Sequence, residues 1–462
     1  MERSLWRELR KTDKRAYGLY MKEIRHQKKT LSLNANDNIV SVSVLEAASS
    51  LFVNSYPENY RSTRNLGRTK YHEEVEKMAV RRALRLFKLS TKKWCANVRL
   101  VSGTSANFVA FMALAGVGGK VLGIKQEMGG HHSFTFLPDR NQSTFQERIF
   151  DPLSYGVRND GCIDYEAIKN AAIQSRPKVI IAGGYAISSD MDFRKIRAIA
   201  RSVGAILLGD ISHPSGLISH GLMNNPFKYC DVITTVMQKT MGGPRAGIIY
   251  CRKKYEQLIS NAQTVLCGNS HTHIILQVAV ALKEALSEGH YEMSKKIQSN
   301  ARHLREILLG YRFNTYTTDS HMILIDMECA IKAYNFEVVA DFLCISLDRV
   351  SLATHPCVYR PTGIRVGTTG ITRRGMGEKE VERIAKILWS IKQYVDEDFN
   401  TKMLNYEKTT DEETGLVFDS RCLKAEELKM SPKLQRMKRM VEKITKRFPI
   451  PFFVPNSRNR CI

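Results

Sequence analysis

The sequence predicts an α/β fold built on a mainly parallel sheet, and two observations support this. Between residues 96 and 282, short runs of apolar and β-branched residues alternate with segments of helical periodicity. Strands that alternate with helices are typical of a parallel sheet with helices on both faces. We expect strands at Val98–Val101, Lys120–Gly123, Val179–Ala182, Ala205–Leu208, Val232–Val236 and Gly247–Cys251.

The segments on either side of this sheet give the predicted domain organisation. An N-terminal helix is expected over Leu5–Ile24, and a long helix over Ile274–Leu309. The second helix should lead to a smaller α/β domain with strands near Met322–Met327 and Gly363–Val366. The predicted units are therefore an N-terminal arm (1–95), a large domain (96–282), a linker helix with a small domain (283–395) and a charged extension (396–462).

Composition narrows the class of protein. A chain of 462 residues with 43% hydrophobic residues can bury the cores of two or three domains. No run approaches the roughly 20 apolar residues that a membrane span needs. The ten cysteines form no C-x-x-C pair, so the sequence indicates neither a zinc site nor a disulfide framework. With a charged N-terminus and no apolar signal core, the expected location is the cytoplasm.

The formal net charge of +24 is concentrated at the two ends of the chain. Residues 1–30 have a net charge of +6 and residues 420–462 a net charge of +9. Leu423–Ile444 has the pattern of a basic amphipathic helix, which could bind RNA, an acidic partner or a phosphate-bearing substrate. The plainer interpretation is favoured: the apolar face packs on the rest of the chain and the charges are solvated. No aromatic stacking motif supports specific recognition of RNA.

The strongest chemical signal is the stretch from Asp231 to Arg245. Lys239 follows the predicted strand Val232–Val236 almost directly, and Thr240 and a Gly-Gly-Pro turn come next. Such a turn lets the backbone approach a ligand closely. A lysine held in this way can form a Schiff base with an aldehyde, as in the anchoring of pyridoxal phosphate. A lone lysine would more often be a surface residue at a strand end.

A carboxylate upstream suits the same chemistry. Asp210 ends the apolar run Ala205–Gly209, about thirty residues before Lys239, and His213 follows it. Pyridoxal phosphate needs a carboxylate at its pyridine nitrogen, because the protonated ring accepts electrons released at the substrate α-carbon. His213 could contact the ring substituents or orient the aspartate. Taken alone, a strand-end Asp is more often a helix cap.

Two further segments fit a phosphorylated ring. Ser102, Gly103 and Thr104 lie between a β-like run and a helical run, where free N–H groups and the helix dipole can hold a phosphate. The alternative is an ordinary Ser/Thr helix cap. His131 follows Gly129-Gly130 and could lie over a flat ring, although a lone His in such a place is usually structural.

Together these residues resemble the serine hydroxymethyltransferase family, in the aspartate-aminotransferase-like class of pyridoxal phosphate enzymes (fold type I). The resemblance covers roughly residues 30 to 395. It is densest in Asn97–Leu114, Ile206–Tyr250 and Gly363–Gly375. It implies a pyridoxal 5'-phosphate enzyme, an α/β large domain with a mainly parallel sheet, a smaller C-terminal α/β domain, and a homodimer with shared active sites.

The resemblance also implies individual roles. For the cofactor, Lys239 would form the Schiff base and Asp210 would pair with the pyridine nitrogen. His213 would lie near the ring oxygen, and His131 would stack on the ring. The phosphate would be held by Ser102, Gly103 and Thr104, beside Gln238, with Gly268 and Asn269 contributed by the partner subunit. For the substrate, Arg365 would bind the α-carboxylate, Arg245 would lie near the lysine, and Tyr56 and Glu58 would reach in from the neighbouring subunit, Glu58 as an acid/base.

Departures from the family pattern suggest a changed acceptor. Gln238 replaces the His that usually precedes the lysine, Ala186 replaces a serine, and Asn65-Leu66 replace paired tyrosines. Several such positions belong to the folate side of the site. We therefore expect an enzyme that makes or breaks the Cα–Cβ bond of a β-hydroxy-α-amino acid, with an aldehyde acceptor and no folate (transaldolase or aldolase type). Two alternatives stay open: an ordinary tetrahydrofolate-dependent hydroxymethyltransferase, and a nucleic-acid-binding or scaffold protein on a degenerate enzyme fold.

Overall fold

The computed structural model describes residues 6–57, 66–134, 146–403, 408–410, 417–419 and 422–451. The predicted N-terminal helix is two helices, α1 (Arg7–Thr12) and α2 (Lys14–Lys29). They separate at Asp13, whose side chain accepts a hydrogen bond from the backbone N–H of Ala16 and caps α2. The chain continues through β1 (Leu31–Ser32), α3 (Val42–Ala48) and α4 (Leu66–Leu86).

A seven-stranded sheet forms the centre of the large domain, with all six predicted strands present. Its strands are β2 (Trp94–Leu100), β3 (Lys120–Ile124), β4 (Asp151–Tyr155), β5 (Val179–Ala182), β6 (Ile206–Asp210), β7 (Val232–Val236) and β8 (Gly247–Arg252). In the order β2-β8-β7-β6-β5-β3-β4, β8 runs antiparallel to both neighbours and the other pairs are parallel. The unpredicted β4 is an edge strand, where Pro152 is tolerated and burial is incomplete.

Helices cover both faces of this sheet. They are α5 (Gly103–Leu114), α6 (Tyr165–Ser175), α7 (Phe193–Ser202), α8 (Ser215–Ser219), α9 (Glu256–Cys267) and α10 (Thr272–Ala285). Successive residues of β5 enter different cores: Val179 and Ile181 pack in one apolar cluster, and Ile180 packs in the other. Burial on both faces explains why the inner strands read as continuous apolar runs.

The predicted helix over Ile274–Leu309 is interrupted. It forms α10 and then α11 (Glu288–Gly310), because the Ser287 hydroxyl accepts from the backbone N–H of His290 and caps a new helix. The small domain continues with β9 (Asn314–Thr315), β10 (Met322–Asp326), α12 (Ala330–Phe342), β11 (Ile345–Ser346), β12 (Asp348–Val350), β13 (Gly363–Gly367), α13 (Thr369–Arg373) and α14 (Glu378–Met403). Its antiparallel sheet has the order β12-β13-β10-β9. Because β1 pairs in parallel with β11, part of the N-terminal arm belongs to this domain's core.

The basic C-terminal segment packs on the small domain. After the short strands β14 (Lys408–Thr410) and β15 (Val417–Asp419), it forms α15 (Ala425–Met430) and α16 (Pro432–Arg447) rather than the single predicted helix. The break falls at Ser431-Pro432, which caps and starts α16. The apolar residues predicted for one face are all buried in the small-domain core: Leu423, Leu428, Leu434, Met437, Val441 and Ile444. Within the described residues, no helix is both long and apolar enough to span a membrane.

Candidate active site

A cavity of about 520 Å³ lies where β6 and β7 end and α5 begins. Ligands of α/β proteins usually bind at the carboxyl ends of parallel strands, where helix N-termini also point. Many of the predicted site residues line this cavity, although they are spread over more than 140 positions of sequence. They are Ser102, Gly103, Thr104, His131, Asp210, His213, Gln238, Lys239 and Arg245.

The amine of Lys239 is buried, and its pKa lies near neutrality. Lys239 is 8% exposed, and its Nζ lies 2.7 Å from Nε2 of His213. Burial, and then the charge of Arg365, lower the pKa of Lys239 to about 7. The side-chain amide of Asn38 donates to the carbonyl oxygen of Lys239 and fixes the backbone there. A neutral amine is the form that attacks an aldehyde.

His213 lies between this lysine and a second histidine that the sequence analysis missed. Burial and the neighbouring Lys239 keep the pKa of His213 well below its usual range. The side chains of Lys239 and Arg365 (3.5 Å) both approach Nε2 of His213, so this nitrogen is the one that accepts hydrogen bonds. Its Nδ1 lies 3.3 Å from Nε2 of His321, and the two rings stack. Burial lowers the pKa of His321 to about 3. His321 lies 108 residues beyond His213, so no local pattern joins them.

A buried hydrogen-bond network links Asp210 to His131. Asn107 donates from Nδ2 to Oδ2 of Asp210 (2.9 Å) and to Oγ of Ser133 (3.0 Å). Ser133 Oγ lies 2.7 Å from Nδ1 of His131. The N–H of Ser212 donates to the other oxygen of Asp210 at 3.0 Å. The carboxylate of Asp210 and the imidazole of His131 are therefore held by one network. The roles of Asn107 and Ser133 in it were not predicted from the sequence.

The imidazole of His131 is neutral at physiological pH. Burial, and then His132, lower its pKa to about 4. The backbone N–H of Ser133 donates to Nδ1 at 3.2 Å, which fixes the ring. A neutral and fixed ring suits stacking on a flat ligand, whereas a pKa of about 4 makes it a weak base.

The start of α5 has the geometry of an anion site. The Ser102 hydroxyl accepts from the backbone N–H of Ser105 at 3.0 Å and caps the helix. A Cβ at Gly103 would lie 2.6 Å from Val236, so glycine lets the helix start pack on the end of β7. The first-turn N–H groups and Thr104 therefore face the cavity, where a phosphate can bind.

The residues present fit pyridoxal phosphate in three ways. The N-terminus of α5 supplies the phosphate end of the cavity, and Asp210 supplies a carboxylate for the ring nitrogen. Lys239 supplies the amine. In addition, the side-chain oxygen of Gln238 is buried without a hydrogen-bond partner in the described part of the chain, and it faces the same cavity. A polar ligand would satisfy that oxygen.

Arg365 lies behind the cavity wall rather than in it. The residue is 0% exposed, and its Nη2 and Nε lie 2.6 and 3.2 Å from Oδ2 of Asp348. The ring of Tyr185 covers it, with 3.9 Å between the guanidinium carbon and the ring centroid. Asn34 and Asn36 donate to Asp348 at 2.7 and 3.3 Å. The sequence analysis missed both Tyr185 and Asp348.

Of the remaining predicted residues, three described ones do not line this cavity. Tyr56 is 73% exposed. Gly268 and Asn269 come directly after α9 and are not part of the cavity lining. Glu58 lies outside the described residues. Arg245 is exposed at the cavity mouth. This distribution is compatible with residues that act on a neighbouring subunit.

Fold and site together define the class of protein. A mainly parallel sheet with a smaller C-terminal domain, carrying a buried lysine and a strand-end aspartate in one cavity, fits the fold type I architecture of pyridoxal phosphate enzymes. The family model described as serine hydroxymethyltransferase matches residues 9–388. The chain belongs to the serine hydroxymethyltransferase family, whose members are pyridoxal phosphate-dependent transferases.

Relatives from distant organisms agree over nearly the whole chain. Serine hydroxymethyltransferase of Plasmodium falciparum is 31% identical over 452 residues, covering 96% of this chain and 98% of the relative. The rabbit (Oryctolagus cuniculus) cytosolic enzyme is 33% identical over 407 residues, 84% of each chain. Serine hydroxymethyltransferase 3, chloroplastic, of Arabidopsis thaliana is 32% identical over 441 residues, 93% of this chain and 82% of the relative.

These comparisons confirm the family, the fold class, the cofactor and the enzyme class expected from the sequence. Their names favour the hydroxymethyltransferase alternative over the folate-independent interpretation that the sequence analysis preferred. One name is cytosolic and another chloroplastic, so they do not assign a compartment.

Proposed function

We propose that this chain makes and breaks the Cα–Cβ bond of a β-hydroxy-α-amino acid of the serine type. The observation that carries the proposal is the buried amine of Lys239, with a pKa lowered to about 7, beside Asp210 in one cavity. Pyridoxal phosphate, when bound, supplies an electron sink for the pair of electrons left at Cα. Everything else in the reaction depends on how the chain's own residues hold atoms and protons.

Three residues would serve the cofactor end. The neutral Nε2 of His213, 2.7 Å from Lys239, can accept a hydrogen bond from that amine and hold it in place as a nucleophile. Asp210, held by Asn107 and Ser212, would keep a proton on the pyridine nitrogen. Because both of its oxygens are fixed by donors, the carboxylate is oriented before the ligand arrives.

The substrate end centres on Arg365. Asp348 bonds the Nε and Nη2 side of the guanidinium and fixes its plane. Nη1 donates to the backbone carbonyl oxygen of Tyr185 at 2.6 Å, so an α-carboxylate would take the place of that carbonyl. Tyr185 would turn away from the guanidinium to admit that carboxylate. The β-hydroxyl proton would go to Glu58 or to water, because the low pKa of His131 makes it a weak base and favours its stacking role.

We propose tetrahydrofolate as the first candidate for the one-carbon acceptor, on the strength of the relatives' names. A second candidate, a free aldehyde, is supported by Gln238 and Ala186, because both depart from the family pattern. The two differ only in what receives the carbon fragment, so one assay separates them.

The test uses purified enzyme loaded with pyridoxal phosphate and measures glycine release. With L-serine, a large stimulation by tetrahydrofolate would support the first candidate. With L-threonine, turnover that depends on an added aldehyde and ignores tetrahydrofolate would support the second. Absence of glycine from either amino acid under all conditions would contradict the proposed function as a whole.

A homodimer with shared sites is part of the proposal. Leu51 (80% exposed) and Val53 lie beside Tyr56, and Val265 (84% exposed) and Leu266 precede Gly268. Exposed apolar residues in two such segments support a subunit contact that would carry Tyr56, Glu58, Gly268 and Asn269 towards the neighbouring cavity.

Subunit mixing tests this arrangement. Lys239→Ala and Tyr56→Ala homodimers should each be impaired, whereas hybrid dimers contain one site with both residues intact. Random mixing should therefore restore about a quarter of the wild-type activity. No recovery after verified exchange of subunits would show that the two residues act in the same subunit.

We also propose a cytoplasmic location. The nine described cysteines are free thiols, which suits a reducing compartment. Imaging of the tagged protein in its own cells tests this, and accumulation in an organelle would contradict it.

A further inference from the structure

Two helical segments from opposite ends of the sequence carry half of the formal net charge. Residues 7–29, which include α1 and α2, contain nine Lys or Arg against three acidic residues. Helix α16 contains seven against one, Glu442. Together they hold a net charge of +12, out of +24 for the whole chain. The sequence analysis noted the two basic ends separately, and their relation in space was unknown.

The structure brings these helices side by side. Helix α16 packs against α2, and one buried guanidinium ties their C-terminal ends together. Arg374 donates to the carbonyl oxygens of Lys28 (3.3 Å) and Thr30 (2.7 Å) at the end of α2. It also donates to those of Thr445 (2.8 Å) and Phe448 (2.5 Å) at the end of α16. The basic surface is therefore a fixed part of the fold.

Both helices present a basic stripe to solvent. On α16, Arg436, Arg439 and Lys443 are exposed at spacings i, i+3 and i+7, which places them on one face. That face is opposite the side chains buried in the small-domain core. On α2, exposed Lys22, Arg25 and Lys29 repeat the same spacing. None of these six residues forms an ion pair with any residue that the structure describes.

A cleft of about 370 Å³ lies between α2 and α16. Lys28 and Lys29 line it from α2, and Lys446 lines it from α16. Glu442 is the only acidic residue of its lining among the described side chains, and Thr445 and Pro449 complete it. A row of unpaired cations that ends in a basic cleft attracts a polyanion, and a single carboxylate or phosphate would leave most of the row unused.

We infer that the α2–α16 surface binds single-stranded nucleic acid through its phosphates, without reading the base sequence. An anionic membrane fits less well, because the apolar face of α16 is already buried and cannot insert between lipids. Three exposed cations along about 10 Å of each helix match the repeating charge of a phosphodiester backbone. This surface involves none of the residues proposed for catalysis.

The test removes one stripe and compares it with an equal loss of charge elsewhere. The stripe variant is Arg436→Gln, Arg439→Gln, Lys443→Gln. The matched control is Arg194→Gln, Lys195→Gln, Arg201→Gln, three exposed cations on or at α7 of the large domain. Binding of a fluorescent 20-nucleotide single-stranded RNA to the full-length enzyme loaded with its cofactor is measured by anisotropy at several salt concentrations.

The stripe variant should bind at least tenfold more weakly than the wild type. The slope of its log affinity against log salt concentration should also be shallower by about 2, the change expected for three lost phosphate contacts. The control should bind like the wild type, and both variants should keep wild-type enzymatic activity. Three results would overturn the inference. They are no binding by the wild type at about 0.15 M salt, equal losses in both variants, or a change of oligomeric state in the stripe variant, which would make this face a subunit contact.

Discussion

Cofactor capture by the apoenzyme should follow the titration of Lys239, with a midpoint near pH 7. Burial first, and the charge of Arg365 second, lower this pKa from 10.5 to about 7. At pH 7 about half of the buried amine is neutral, against about one in 2,500 for a lysine with the ordinary pKa. The shift corresponds to about 5 kcal/mol that disfavours the ammonium form.

Arg365→Gln is the perturbation that tests this explanation. Contacts of 2.7 and 3.5 Å through His213 place the two nitrogens at most about 6 Å apart. Two charges at that distance repel by about 3 kcal/mol in a protein-like dielectric. Removing the cation, while Asp348 stays, should raise the pKa of Lys239 and move the midpoint up by about one to two pH units. Arg365→Lys keeps the charge and serves as the control.

The assay is stopped-flow absorbance of pyridoxal phosphate mixed with apoenzyme across a pH series. Circular dichroism of each variant checks that it is folded. A wild-type midpoint above about pH 9, or a Gln variant with an unchanged midpoint, would refute the reasoning.

Three further predictions concern other parts of the site. In the apoenzyme, Lys239→Met should be more stable than the wild type, and the difference in unfolding free energy should widen as pH falls from about 10 to 7. The reason is that the lysine of the unfolded wild type binds a proton in this range, whereas the buried amine of the folded protein does not. Chemical denaturation at several pH values measures the difference. Asn107→Leu, which deprives Asp210 and Ser133 of their shared donor, should weaken pyridoxal phosphate binding about tenfold in equilibrium dialysis. Tyr185→Ala uncovers Arg365 and should lower KM for the amino acid more than it changes kcat.

Each of these has an outcome that contradicts it. A stability gap independent of pH would mean that the Lys239 amine stays charged when buried. Unchanged cofactor affinity in the Asn107 variant would remove that network from the site. A raised KM in the Tyr185 variant would make the tyrosine a substrate contact rather than a cover.

The inner strands could be predicted because burial on both faces leaves a readable apolar run. Val179–Ala182 and Val232–Val236 match their predicted bounds, and the chemical residues follow at the strand ends. The edge strand β4 was missed because Pro152 and partial exposure break that run. The predicted long helices were wrong where a single residue, such as Asp13 or Ser287, caps a new helix.

The rest of the site depends on contacts between distant segments. Asp348 meets Arg365 across paired strands, and His321 reaches His213 from the other domain. Tyr185 covers the arginine from the loop after β5. No short pattern encodes such pairs, because their partners are set by how the small domain packs on the large one.

Borohydride reduction followed by peptide mass spectrometry tests whether Lys239 carries the cofactor. Reduction fixes a Schiff base as a stable secondary amine, so the cofactor's position can be read from the modified peptide. We expect one pyridoxyl phosphate adduct per chain, on the peptide that contains Lys239, and none in Lys239→Met. An unlabelled protein, or an adduct on a different lysine, would contradict it.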